Sequence, residues 1–325
     1  MLIFLAKQKE KKDATLPTSS DQSLSESASL TVPSDIYEDE DIDPVIYFDG
    51  KAYSAKKNIE SVLFIGIDSF GEPEEHDGYS NKDQADVLML IVIDHDLKTY
   101  NILQINRDTM AEIRLIGSTG DDLGTGVTQI AFSHTYGSGL NDSCEYTAEA
   151  VSTLLYDSEI EHYISLPMDS IAIINESVGG VTVKVPYDMT MVDPNLVEGQ
   201  EVKLDAAGAE HFVRSRMGLD EPTNISRMER QLTYLSAWKT LAVSKMNADP
   251  GFALNLIGDL SNYMVTDMDL NELSELSTYL SEYENQGMIK LDGDSREGEE
   301  YMEFYVYEKS LKEAIVKLYY DESEN

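Results

Sequence analysis

Positive charge is scarce in this chain. Its 325 residues include 24 Lys and Arg against 61 Asp and Glu, a net charge of −37, and only seven of the basic residues are Arg. So acidic a surface excludes a general nucleic-acid binder, because phosphate backbones reward clustered Lys and Arg. It also gives little bulk attraction to an anionic lipid surface. A single cysteine, Cys144, excludes an internal disulfide framework and a Cys-rich zinc site. Its place just before a helical stretch marks it as a free core thiol. No run of about 18 apolar residues is present, so no complete transmembrane helix is legible. Nucleotide-binding glycine loops, a G-x-S-x-G elbow and an H-E-x-x-H helix are all missing. The histidines at 76, 95, 134, 162 and 211 lack metal-ligand spacing.

What is present is a folded body behind a polar lead. Hydrophobic residues make up 42% of the chain, enough for a substantial core. Residues 1–6 (MLIFLA) precede Lys7, Lys9, Lys11 and Lys12, and are too short for a signal-peptide core. They read either as the outer end of a membrane anchor or as an ordinary start. Residues 13–50 hold ten acids and no Lys or Arg, the composition of a solvated linker. Periodic structure is expected from residue 58 onward, giving an N-terminal segment 1–57 and a domain 58–325.

Buried strands are expected at 61–68, 86–94 and 98–106, the last two forming a hairpin through His95-Asp96-Leu97. Residues 114–127 read as loop. Helices are expected at 144–156, 168–177, 204–214, 226–242, 251–263, 270–283 and 310–319, with short strands at 163–166, 181–185 and 303–307. The alternation predicts an α/β fold, one domain with a central mixed β-sheet covered by helices.

Two features carry chemistry. Four of the seven arginines, Arg214, Arg216, Arg227 and Arg230, fall within seventeen residues, and Arg107 ends the third strand. A guanidinium fork matches phosphate oxygens bidentately. Arg227, Gln231 and Tyr234 share one face of a helix. The same arginines would also serve as structural partners for the many carboxylates. The second feature is a pair of acids at strand ends, Asp68 and Asp86, which share one rim of the sheet if their strands are antiparallel neighbours. Two carboxylates beside arginines suit Mg²⁺ bridging a pyrophosphate; alone, each also reads as a turn or strand-end residue.

Six segments together resemble the LytR-CpsA-Psr family of bacterial cell-wall proteins. These are Phe64-Ile65-Gly66-Ile67-Asp68-Ser69, Ala85-Asp86-Val87-Leu88-Met89, Gln104-Ile105-Asn106-Arg107-Asp108-Thr109, Thr128-Gln129-Ile130-Ala131-Phe132 with Tyr136-Gly137, Gly179-Gly180-Val181-Thr182-Val183 with Pro186, and Phe212-Val213-Arg214-Ser215-Arg216 followed by Arg227, Arg230 and Gln231. The likeness spans about residues 58 to 320. It implies a phosphotransferase that moves a glycopolymer, teichoic acid or capsule-like, from an undecaprenyl pyrophosphate carrier to peptidoglycan in cell-wall biogenesis. By the same resemblance Asp68 and Asp86 would bind Mg²⁺. Arg107, Arg214, Arg216 and Arg227 would hold the pyrophosphate and do the catalytic work, and Gln231 would support the head group. The prenyl tail would lie between sheet and helices, lined by 144–156 and 168–177. The family's usual N-terminal transmembrane helix implies an extracytoplasmic protein with a single-pass anchor, of which residues 1–6 would be the end.

Two departures bear on activity. Gln84 stands where the family usually has an arginine, and Asn224 where it usually has an acid, a candidate general base. Asn cannot accept a proton; Asp220 or Glu221 would have to substitute. The alternatives are therefore a non-catalytic polyprenyl-pyrophosphate-binding or scaffold protein, and a pyrophosphatase that releases the head group to water.

Overall fold

The computed structural model describes residues 45–76, 79–80, 82–215 and 224–323. Residues 1–6, most of the acidic lead, Arg216, Asp220 and Glu221 lie outside the described residues.

The centre is a six-stranded mixed sheet. Strands β3 (Ile59–Ile67), β4 (Ala85–Asp94) and β5 (Thr99–Ile105) pair antiparallel in sequence order. β8 (His162–Leu166) joins β3 in parallel, β12 (Glu284–Lys290) joins β5 in parallel, and β11 (Val265–Thr266) closes the β8 edge. Both faces are covered, which is why the central strands read as unbroken apolar runs. Leu63, Ile65, Leu88, Leu90, Leu103 and Ile105 face one core. That core is closed by helices α1 (Asn141–Leu154) and α7 (Glu308–Tyr319). Val62, Met89, Ile93, Tyr100 and Ile102 face the other. Over that face lie α2 (Asp169–Ser177), α4 (Asn224–Ala248), α5 (Phe252–Leu260) and α6 (Leu270–Glu282). Helix α3 (Ala206–Arg214) is capped by Asp205, whose carboxylate accepts from the Gly208 N–H at 2.7 Å. Cys144 is buried under the sheet, and burial pushes its thiol up to about 12, an inert core group.

Two expectations are corrected. The linker expected over 13–50, and with it the boundary at 57/58, overlaps folded structure. β1 (Val45–Phe48) and β2 (Lys51–Ala55) form a hairpin to which the C-terminal strand β15 (Tyr320–Glu322) adds. Asp49 and Gly50 both have positive φ, 48° and 76°, as a two-residue hairpin turn requires, and the Asp-Gly pair was the signal for it. The loop expected at 114–127 is a second hairpin, β6 (Met110–Ile116) with β7 (Asp122–Gln129). β7 carries two glycines and buries only Gln129, so pairing rather than burial makes it a strand.

Candidate functional site

The site forms at one rim of the sheet. β3 and β4 pair antiparallel with Ile67 opposite Ala85, so Asp68, whose N–H donates to the Gln84 carbonyl, and Asp86, at the register slip, both fall at this rim. The register slips between Gly66 and Ile67. A Cβ on Gly66 would meet the Val87 Cβ at 2.9 Å, so glycine permits this close approach. β5 ends on the same rim, since Leu88 pairs with Ile105, and this delivers Arg107.

Asp86 is the hub. Its side chain is only 6% exposed, and its two carboxylate oxygens accept separately from Arg107 Nη1 and from Arg227 Nη1, the latter at 2.8 Å. The second nitrogen of Arg227 donates to the Asn224 Oδ1 at 2.7 Å, and that of Arg107 donates to Gln84 Oε1 at 2.5 Å. Asn224 in turn donates to Asn106 Oδ1 at 2.5 Å. Both residues that depart from the family pattern therefore sit in the site. Each holds an arginine fork through a neutral amide oxygen.

Arg214 forms the rim. It ends α3, donates to Asp68 at 3.0 Å and to Glu210 at 3.1 Å, and lies over the Phe70 ring at 5.2 Å. Its helix is pinned to α4 by two side chains. Arg230 donates to the carbonyls of Phe212 and Ser215, and Gln231 Nε2 donates to the Val213 carbonyl at 3.2 Å. Cations and amides at a helix C-terminus satisfy its last carbonyls. Arg230 is 1% exposed, and desolvation lowers its pKa. It is a positioning residue rather than part of the anion site.

Beneath the charged cluster opens an apolar cavity of about 380 Å³. Its polar lining includes Asp86, Arg214, Arg227 and Gln231. Its apolar lining includes Phe64, Ile174, Trp238, Leu256 and Leu276. Arg227, Gln231 and Tyr234 all face it, as their helical spacing predicts. The expected lining is half right. α2 contributes, but none of α1 does, because α1 packs on the opposite face of the sheet. The missing walls come from α5 and α6. The signal was in Phe252–Leu260 (FALNLIGDL): a largely apolar helix of which only Leu260 is buried must face something open.

Asp68 and Asp86 are hard oxygen donors at one rim, and no group of three or more His, Cys, Asp or Glu able to hold a metal occurs among the described residues. This fits Mg²⁺, which takes one or two carboxylates and fills its remaining positions with water and phosphate oxygens. In the structure both carboxylate oxygens of Asp86 are engaged by Arg107 and Arg227.

Residues 23–319 match the LytR_cpsA_psr family, and the chain belongs to it. It is 27% identical over 237 residues to a polyisoprenyl-teichoic acid–peptidoglycan teichoic acid transferase, TagU, of Halalkalibacterium halodurans, covering 72% of this chain and 69% of that one. The fold matches crystal structures of Bacillus subtilis TagV (TM-score 0.60, 22% identity, 81% of this chain and 96% of that one) and of TagT bound to LI-WTA (TM-score 0.60, 20% identity, 81% and 90%).

Proposed function

We propose that this protein transfers a glycopolymer, of teichoic acid or capsule type, from an undecaprenyl pyrophosphate carrier to a hydroxyl of peptidoglycan. The observation that carries this reading is the junction of arginines with an apolar cavity: Arg214 and Arg227 belong to the lining of a space walled mainly by aliphatic and aromatic side chains. A molecule with a diphosphate at one end and an isoprenoid at the other is complementary to both parts. The named activity of the relatives supports the same class.

In this reading the prenyl chain occupies the cavity. Arg107, Arg214, Arg227 and, from outside the described residues, Arg216 bind the diphosphate oxygens, and Gln231 stands beside the head group. The acceptor hydroxyl oxygen bonds to the phosphorus that carries the polymer. The bridging P–O bond breaks, undecaprenyl phosphate departs, and the hydroxyl proton passes to a base or to water. The arginines neutralise charge building on the departing phosphate. Mg²⁺ held by Asp68 and Asp86 would supply Lewis-acid stabilisation of the phosphate oxygens. The extracytoplasmic face of the membrane, where such a carrier and acceptor meet, is the proposed location. No helix among the described residues is long and apolar enough to cross a membrane.

Asn224 favours a second reading, a non-catalytic binder. Its amide nitrogen is spent on Asn106 and its oxygen on Arg227, so it contributes no base. Incubation with lipid-linked glycopolymer and Mg²⁺, with and without acceptor glycan, separates the readings. The transferase releases undecaprenyl phosphate only when acceptor is present, and Arg107→Ala lowers that rate by at least about a hundredfold. Binding without release makes it a binder, acceptor-independent release makes it a pyrophosphatase, and an undiminished Arg107→Ala rate removes Arg107 from the mechanism.

A further inference from the structure

Two pairs of half-buried aromatic rings follow one another along a short helix, whose own rings pack against the core on the face of the sheet opposite the cavity. The short 3₁₀ helix Ile130–Tyr136 presents Phe132 and Tyr136. Tyr79 packs on Tyr136 with ring centroids 4.9 Å apart, and Tyr301 packs on Phe132 at 5.6 Å. Burial, then the neighbouring Tyr79 and Tyr301, pushes the Tyr136 phenol up to about 12, so it is a protonated donor. The Tyr301 hydroxyl is tied to Thr128 Oγ1 at 2.9 Å.

This row is joined to Arg107 by short links. The Ala131 N–H donates to the Arg107 carbonyl at 3.2 Å. Arg107 Nε lies 3.5 Å from Asp108, whose carboxylate accepts from Gln129, and Gln129 also donates to the carbonyl of Met302, next to Tyr301. Ser80, beside Tyr79, donates its N–H to the Thr135 carbonyl, and four residues on Gln84 meets Arg107. None of the four rings lines the cavity, nor does Arg107. The Arg107 guanidinium thus meets Asp86, Gln84 and Asp108, and its backbone holds the ring-bearing helix, whose rings lie on the sheet face opposite the cavity.

We infer that the row Tyr79–Tyr136–Phe132–Tyr301 is the binding platform for the acceptor glycan strand, an inference that rests on the transferase reading above. Sugar rings present axial C–H bonds that pack on aromatic faces, and their hydroxyls meet the phenol edges. Direction selects the acceptor over the donor. Attacking and leaving oxygens lie roughly in line through the phosphorus. If undecaprenyl phosphate leaves toward the cavity, the attacking hydroxyl arrives from the opposite flank, where the rings are.

The test uses the full chain with Mg²⁺ and geranylgeranyl pyrophosphate, titrated by calorimetry with a β-1,4-linked N-acetylglucosamine tetrasaccharide, a soluble stand-in for a glycan strand. The wild type binds it. Tyr301→Ala and Tyr79→Ala each weaken that binding about tenfold, the scale of a lost aromatic contact. Geranylgeranyl pyrophosphate affinity stays unchanged, and Tyr301→Phe, which keeps the ring, restores most of the loss. If circular dichroism shows Tyr301→Ala misfolded, Tyr79→Ala carries the result. Absence of tetrasaccharide binding, or equal binding by the alanine variants, overturns the platform. Weakened use of lipid-linked glycopolymer with unaltered tetrasaccharide binding assigns the row to the donor and also overturns it. Failure of geranylgeranyl pyrophosphate itself to bind overturns the transferase reading first and is recorded separately.

Discussion

Asp86 shows how single residues set the site. A carboxylate this buried is held by two guanidinium groups, and removal of either would leave the acid under-compensated. Arg107 and Arg227 were legible because arginine is rare here and its company specific. The amides of Gln84, Asn106 and Asn224 were not legible as a network, since neutral amides follow no pattern along a chain. Arg230 was legible only as part of the arginine block, with no role of its own, and its carbonyl partners reveal that it fixes α3. Outside the site, His134 gives a residue-scale prediction. Burial lowers its pKa from 6.5 to about 4. Below pH 6.5 the unfolded chain therefore takes a proton that the folded chain refuses, and stability falls as pH drops from about 6.5 to about 4. Urea unfolding at pH 6.5 and 4.5 should show a loss on the order of 2 kcal/mol in the wild type. That component of the loss should be missing in His134→Gln.

At the scale of elements, the central strands and most helices were legible because both faces of the sheet are buried and period and length agree. The two hairpins were not. β1–β2 follows an acid-rich lead that masks its alternation, and β6–β7 holds glycines where strand formers are expected. The cavity walls belong to helices whose apolar residues are only partly buried, a property that sequence periodicity does not separate from core. Leu256 on α5 tests their role. Leu256→Glu places a carboxylate in an apolar cavity, where a charge has no compensating partner. It should weaken geranylgeranyl pyrophosphate binding by more than about tenfold and leave inorganic pyrophosphate binding unchanged, as titration of both ligands would show. Equal loss for both ligands would mean that the helix had moved rather than that the tail had been excluded.

For the whole molecule, the charge of −37 and the proposed anion-binding cluster are compatible because they occupy different places. Acids dominate the lead and the exposed helices. The described site arginines converge on one rim, each compensated by a carboxylate or amide. The apolar tail of the proposed ligand explains how a strongly acidic protein would hold a diphosphate: burial of hydrocarbon contributes about 0.8 kcal/mol per methylene, independent of the protein's net charge. The most direct test is a crystal structure of the protein with geranylgeranyl pyrophosphate and Mg²⁺. The account predicts the isoprenoid in the cavity between Ile174, Trp238 and Leu276, with its phosphates among Arg107, Arg214 and Arg227 and the arginine forks withdrawn from Asp86. An isoprenoid lying outside the cavity, or phosphates bound away from these arginines, would contradict it.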